Sequence, residues 1–144
     1  MAVFAWVRES IGTVLATAIA KPRSPLAKIE AAFLAHVAFT AANPGVPRIL
    51  FHELQYPGDT PVRAEVQTMI SGYRERLASL FAAARSAGEL PADLDPGLAP
   101  VLFIGAIQGL LIESAMAGSE AGMLACARQI FPLLLDGYRG RAER

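Results

Sequence analysis

Residues 60–88 read TPVRAEVQTMISGYRERLASLFAAARSAG, and this stretch decides the fold class. Val62, Val66, Met69, Ile70, Tyr73, Leu77, Leu80, Phe81 and Ala84 recur every three or four positions, the spacing that lines one face of an α-helix. Arg63, Gln67, Arg74 and Arg85 fall on the other side, so the segment must lay its apolar stripe against a core. Both ends are marked. Thr60 is a good N-cap, and Pro61 suits a first turn where no amide hydrogen is needed. Gly88 is placed to close the helix at its C-terminus. The pattern predicts a helix over 60–87.

The same signals organise the rest of the chain. Tyr56-Pro57-Gly58-Asp59 is a turn, preceded by a short predicted helix over 45–55 with Val46, Ile49, Leu50 and Leu54 inward. Asn43-Pro44-Gly45 ends a helix over 24–42, which Ser24 and Pro25 open and which carries Leu26, Ile29, Phe33, Val37 and Thr40 on one face. Lys21-Pro22-Arg23 separates it from a first helix over 2–20, where Phe4, Val7, Ile11, Val14, Leu15 and Ala18 keep the period. That helix has no start signal, because the apolar pattern is already running at Val3. On the C-terminal side, Asp95-Pro96 opens a fifth helix over 96–117, and a sixth follows over 119–138 with Leu124, Ala127, Phe131, Leu134, Leu135 and Tyr138 as its seam. Pro132 should kink it, since the carbonyl of Arg128 loses its donor. The expectation is an all-α fold of six helices in one domain spanning 1–144.

The fifth helix is apolar nearly all round: Leu98, Val101, Leu102, Phe103, Ile104, Ile107, Leu110, Leu111 and Ile112. A helix without a polar face must be covered on more than one side, and the chain's own core covers only one. Gly105 and Gly109, four residues apart, strip side chains from one patch and let another helix approach closely. The sequence therefore predicts that a partner covers this second side.

Composition excludes several functions. Thirteen basic and thirteen acidic side chains cancel among 144 residues, so the surplus of Lys and Arg that phosphate binding requires is missing. The C-terminal Arg139, Arg141 and Arg144, interrupted by Glu143, read as a solvated tail. Cys126 is the single cysteine. It can form no internal disulfide, which points to a reducing, cytoplasmic location, and it reads as a small buried hydrophobe. The uncharged stretches 10–20, 31–47 and 96–112 fall short of the roughly 20 residues of a membrane span, so no membrane association is expected. Arg8 and Glu9 inside the first apolar run argue against a signal peptide.

Chemistry-bearing motifs are absent. His36 and His52 are the only histidines and do not sit at metal-ligand spacing. No glycine-rich phosphate loop or nucleophile elbow is present. The expectation is a protein that is not an enzyme and has neither cofactor nor metal. His36 reads as a partly buried hydrogen-bonding group beside an apolar stripe, and His52 as a surface residue. Glu53, Tyr73, Gln108 and Glu113 are polar groups on apolar faces. Two readings stay open for them: the acids meet an arginine such as Arg48 or Arg74 or lie at an interface rim, or the polar groups converge on an apolar pocket.

Three segments, Asn43-Pro44-Gly45-Val46-Pro47-Arg48-Ile49-Leu50-Phe51-His52-Glu53, Gly88-Glu89-Leu90-Pro91-Ala92-Asp93-Leu94-Asp95-Pro96 and Gly105-Ala106-Ile107-Gln108-Gly109-Leu110, carry a resemblance. With the order and length of the helices from residue 3 to residue 139, the chain resembles the C-terminal regulatory domain of TetR-family transcriptional regulators. The resemblance implies a homodimer in which the last two helices of each subunit pair into an intermolecular four-helix bundle, with Val101, Gly105, Gly109 and Ile112 of the fifth helix and Leu124, Phe131, Leu134 and Leu135 of the sixth at the interface. It implies that the earlier helices enclose a pocket for a small, often hydrophobic ligand, and that the first helix connects to a DNA-binding helix-turn-helix. Candidate ligand contacts are His36, Thr40, Glu53, Met69, Tyr73 and Gln108. A three-helix DNA-binding unit does not fit before Val3 at about 1.5 Å rise per residue, so the expectation is a truncated repressor that does not bind operator DNA by itself. Two alternatives are a DNA-silent module that heterodimerises with full-length regulators and a small helical enzyme. The latter would need convergent acid and base groups, of which the sequence offers few.

Overall fold

The computed structural model describes residues 2–140; Met1 and the tail residues Arg141, Glu143 and Arg144 lie outside the described residues. The chain forms α1 (Ala2–Ala20), α2 (Pro25–Ala42), α3 (Gly45–Gln55), α4 (Pro61–Ser86), α5 (Ala99–Ala117) and α6 (Met123–Arg139), with no strand among the described residues. The fold is all-α.

Helix boundaries follow local hydrogen bonding. Ser24 Oγ accepts the amide of Ala27 at 3.0 Å, and Glu89 Oε1, from beyond α4, accepts the amide of Leu26 at 3.2 Å. Two of the orphan donors at the α2 N-terminus are thus satisfied, one by a negative charge that suits the helix dipole. Thr60 Oγ1 caps α4 in the same way through Arg63 N at 3.0 Å. At the other end of α4, Gly88 adopts φ +77. This left-handed turn lets Glu89 N reach Ala84 O at 3.0 Å and Gly88 N reach Arg85 O at 3.1 Å, the paired bonds of a Schellman motif.

Helix α2 is the hub. It packs against α1, α4, α5 and α6, whereas α3 rests mainly on α4. Ile29, Ala32, Phe33 and Val37 of α2 are fully buried. Phe33 meets Phe103 edge-on with ring centroids 5.2 Å apart and Phe131 at 5.4 Å. Phe81 stands against Tyr138 at 4.9 Å. The Tyr138 hydroxyl, carried into this apolar cluster, donates to the carbonyl of Ala99 at 2.7 Å, so its burial leaves no polar group stranded.

Several expectations are corrected. Helix α5 starts at Ala99 rather than at residue 96. Asp95 Oδ1 accepts the amide of Gly97 at 2.8 Å, so this side chain stabilises a turn before the helix instead of capping it. Helix α6 starts at Met123 rather than at residue 119, for the same reason: Ser119 Oγ takes the amide of Ala121 at 3.0 Å. The helix then runs on through Pro132. Ile49 is exposed. It lies about a third of a turn round from the face of α3 that carries Pro47, Leu50 and Leu54. Cys126 is exposed, not a buried hydrophobe. Phe131 is only 2% exposed and is spent on Phe33, so it offers a partner no surface. Finally, α1, α2 and α5 are long and apolar enough to cross a membrane by length and composition, a finding that the uncharged stretches alone did not give. Here α2 spends its apolar character as the hub of the bundle.

Candidate ligand cavity

A cavity of about 150 Å³ lies between α1, α2, α3, α4 and α5. Val7 and Ile11 of α1 close one side. Phe39, which stands 6.3 Å from the exposed Trp6 between ring centroids, extends that wall. Helix α3 forms a cover with Val46, Pro47, Leu50, Phe51 and Leu54, the positions that share one helical face. Met69 and Ile70 of α4 and Ile104, Ile107 and Leu111 of α5 complete the apolar surface. Four polar side chains interrupt it: His36, Thr40, Tyr73 and Gln108.

The cover is held at its C-terminal end. The Arg63 guanidinium donates to the carbonyls of Leu54 at 2.6 Å and Tyr56 at 3.0 Å, acceptors that the end of α3 leaves without helical partners. The opposite end of α3 has no side-chain cap.

His36 Nδ1 is hydrogen-bonded to the Tyr73 hydroxyl. The two rings meet edge to face with centroids 5.1 Å apart. Burial disfavours the charged imidazole and pushes the pKa of His36 down from 6.5 to about 4, so the ring is neutral at pH 7. Burial likewise raises the Tyr73 hydroxyl well above its usual range, with the nearby Arg76 charge acting in the opposite sense. Thr40 donates to the carbonyl of Val37 at 3.0 Å. Among the described residues, no three His, Cys, Asp or Glu side chains come together as a metal ion would need.

Five of the six side chains singled out by sequence, His36, Thr40, Met69, Tyr73 and Gln108, therefore border one cavity. Glu53 does not. It is half-buried and lies about a quarter turn round α3 from the centre of the cavity face. The apolar wall was not foreseen. Val7, Ile11, Leu50, Ile104 and Leu111 repeat at helical spacing whether they face a packed core or an empty volume, so the pattern carries no signal for a void. The outer surface of α5 is a second feature. Leu98, Leu102, Ile112 and Met116 are exposed large apolar side chains. With Gly105 and Gly109 they follow one another at alternating four- and three-residue steps, the spacing of a helix-pairing seam. Val101 beside them and Leu133 on α6 are also exposed. Leu124, Leu134 and Leu135 are half-buried against the chain's own core.

A covered, nearly apolar cavity inside a bundle of helices is the geometry of a ligand-binding domain. The chain belongs to the family of Tetracyclin repressor-like C-terminal domains, whose sequence profile matches residues 57–130. Two solved structures share the fold. One is the fatty acid degradation regulator FadR from Bacillus halodurans, similar over 96% of this chain and 73% of that chain with 20% identity and a TM-score of 0.79. The other is the transcriptional regulator FadR from Bacillus subtilis in complex with stearoyl-CoA, similar over 93% of this chain and 73% of that chain with 17% identity and a TM-score of 0.75. No curated protein sequence matches significantly. Family and fold are those of transcriptional regulators, not of enzymes.

Proposed function

We propose that this chain is the effector-binding and dimerisation domain of a TetR-like regulator and that it senses a small hydrophobic ligand in the cavity under α3. The observation that carries the reading is the cavity itself. It is walled by apolar side chains from five helices and punctuated by four uncharged polar ones, the usual composition of a small-molecule site. The FadR of Bacillus subtilis was solved with stearoyl-CoA, which supports a ligand with an extended apolar portion. A ligand that prefers one arrangement of α1, α3 and α4 over another would shift their populations.

Dimerisation rests on the stripe from Leu98 to Met116 of α5, extended by Leu133 of α6. An apolar seam of this length on the surface of a bundle is an association surface. The proposed setting is a cytoplasmic protein with no membrane contact, in which DNA binding belongs to a helix-turn-helix unit and not to these six helices. The chain's thirteen basic and thirteen acidic residues leave no surplus positive charge for phosphate.

Two measurements test the reading. Thermal unfolding against a panel of uncharged apolar molecules should show a concentration-dependent rise in Tm, since a ligand at one hundred times its Kd adds about 2.7 kcal/mol. A panel without any effect contradicts the sensor role. Sedimentation at micromolar concentration should show a dimer that Ile112→Glu converts to monomer; a wild-type monomer contradicts the dimer.

A further inference from the structure

The cavity holds no formal charge, and that restricts what it accepts. No Lys, Arg, Asp or Glu borders it. Of the arginines on the surrounding helices, Arg8, Arg48, Arg74 and Arg76 are exposed, Arg63 is committed to the carbonyls of Leu54 and Tyr56, and Arg85 to the carbonyl of Leu94. The one titratable base in the wall, His36, stays neutral well below pH 7. A carboxylate entering this space would lose its hydration and find no cation in the wall to pair with; the positive charge that acts on the wall, Arg76, reaches the Tyr73 hydroxyl from the exposed side of α4.

The His36–Tyr73 pair gives the wall a definite hydrogen-bonding character. If the tyrosine hydroxyl donates to Nδ1, the pair retains an Nε2–H donor and a phenolic oxygen acceptor. If Nδ1–H donates instead, it retains the O–H donor and an Nε2 acceptor. Either tautomer leaves one donor and one acceptor. His36 Nε2 has no hydrogen-bond partner among the described residues, and no side-chain nitrogen or oxygen there is both sealed from solvent and unpartnered. Nε2 is therefore open to an incoming group. The amide of Gln108 on the α5 wall adds a second donor and acceptor.

Resting on the sensor reading above, we propose that the site takes apolar molecules whose buried polar group is an uncharged hydroxyl or acyl derivative, that it rejects the matching free carboxylate, and that the His36–Tyr73 pair sets this preference. A hydroxyl uses both the donor and the acceptor of the pair, and an ester or amide carbonyl uses the donor.

The test is displacement of Nile red, an uncharged apolar dye, from the full chain at neutral pH by octanol, methyl octanoate and octanoate. Octanol and methyl octanoate should compete at least tenfold better than octanoate. Tyr73→Phe, checked for folding by circular dichroism and with its own Nile red Kd measured so that displacement is read as an octanol Kd, should weaken octanol about fivefold, the loss of one hydrogen bond. His36→Gln, which keeps a donor and an acceptor, should preserve most of the octanol affinity. Octanoate competing as well as octanol overturns the proposal and leaves the sensor reading standing. An unchanged octanol affinity in Tyr73→Phe removes the pair's role. Failure of Nile red and of all three octyl compounds to bind overturns both the sensor reading and this inference.

Discussion

At one end of the bundle Phe33, Phe81, Phe103 and Phe131 close on one another, each at most 2% exposed. At the other end Ile11, Leu50, Met69 and Leu111 stand back around an unfilled space. Both sets are apolar, aromatic at one end and aliphatic at the other, and the same helical spacing places them. What differs is the covering element. The aromatic end is enclosed by α2, α4, α5 and α6, long helices packed on one another. The cavity end is closed by α3, a helix of 11 residues that rests mainly on α4. A short helix with one packed neighbour cannot complete a core, because too few of its side chains reach inward. The two ends differ accordingly: one is a filled core, and the other keeps the space proposed above as a ligand site.

This contrast predicts unequal mutational costs. Phe33→Ala should cost about 3–5 kcal/mol, the usual result of emptying a filled aromatic site, and lower the urea midpoint accordingly. Leu50→Ala, on the cavity wall, should cost well under half of that, since its side chain already borders empty volume. Equal costs would show that the α3 end is packed as tightly as the aromatic end.

Acid should act on the cavity end next. His36 binds its proton with a pKa of about 4 in the folded chain against 6.5 as its ordinary value. Between these values the unfolded chain holds more protons, so stability falls as pH drops through this window and is fully retained above it. The loss reaches about 3 kcal/mol at most. Stability curves from denaturant titrations should show this slope in the wild type and a flatter profile in His36→Gln.

Smaller effects should follow at the cover and the caps. Arg63→Ala should cost about 1–3 kcal/mol and speed amide exchange in α3 far more than in α2. An equal rise in exchange in both helices would show that Arg63 does not act on α3 in particular. Ser24→Ala, outside both regions, should cost about 1 kcal/mol as the loss of one N-cap.

How far the sequence reached depended on whether a signal was local. Thr60-Pro61 and Ser24-Pro25 announced α4 and α2 because the cap and the proline act on adjacent amides. Asp95 and Ser119 misled because the same side chains can bond an amide two residues on and build a turn instead. Of the polar groups that interrupt apolar faces, Tyr73 and Gln108 border the cavity, together with His36, Thr40 and Met69. Glu53 interrupted a face too, but on the edge of α3. Phe131 could not be assigned to core or interface from spacing alone. Phe131 shares one apolar stripe of α6 with Leu134 and Leu135, and only the position of Phe33 shows that it is spent on the chain's own core.

Calorimetric titration of octanol into the wild type and into Met69→Trp most directly tests the claim that the space under α3 is a ligand site. The account predicts saturable, one-site binding to the wild type and none to the variant, whose indole fills the cavity while the fold, checked by circular dichroism, is kept. Equal binding to both proteins would place the ligand elsewhere and contradict the account.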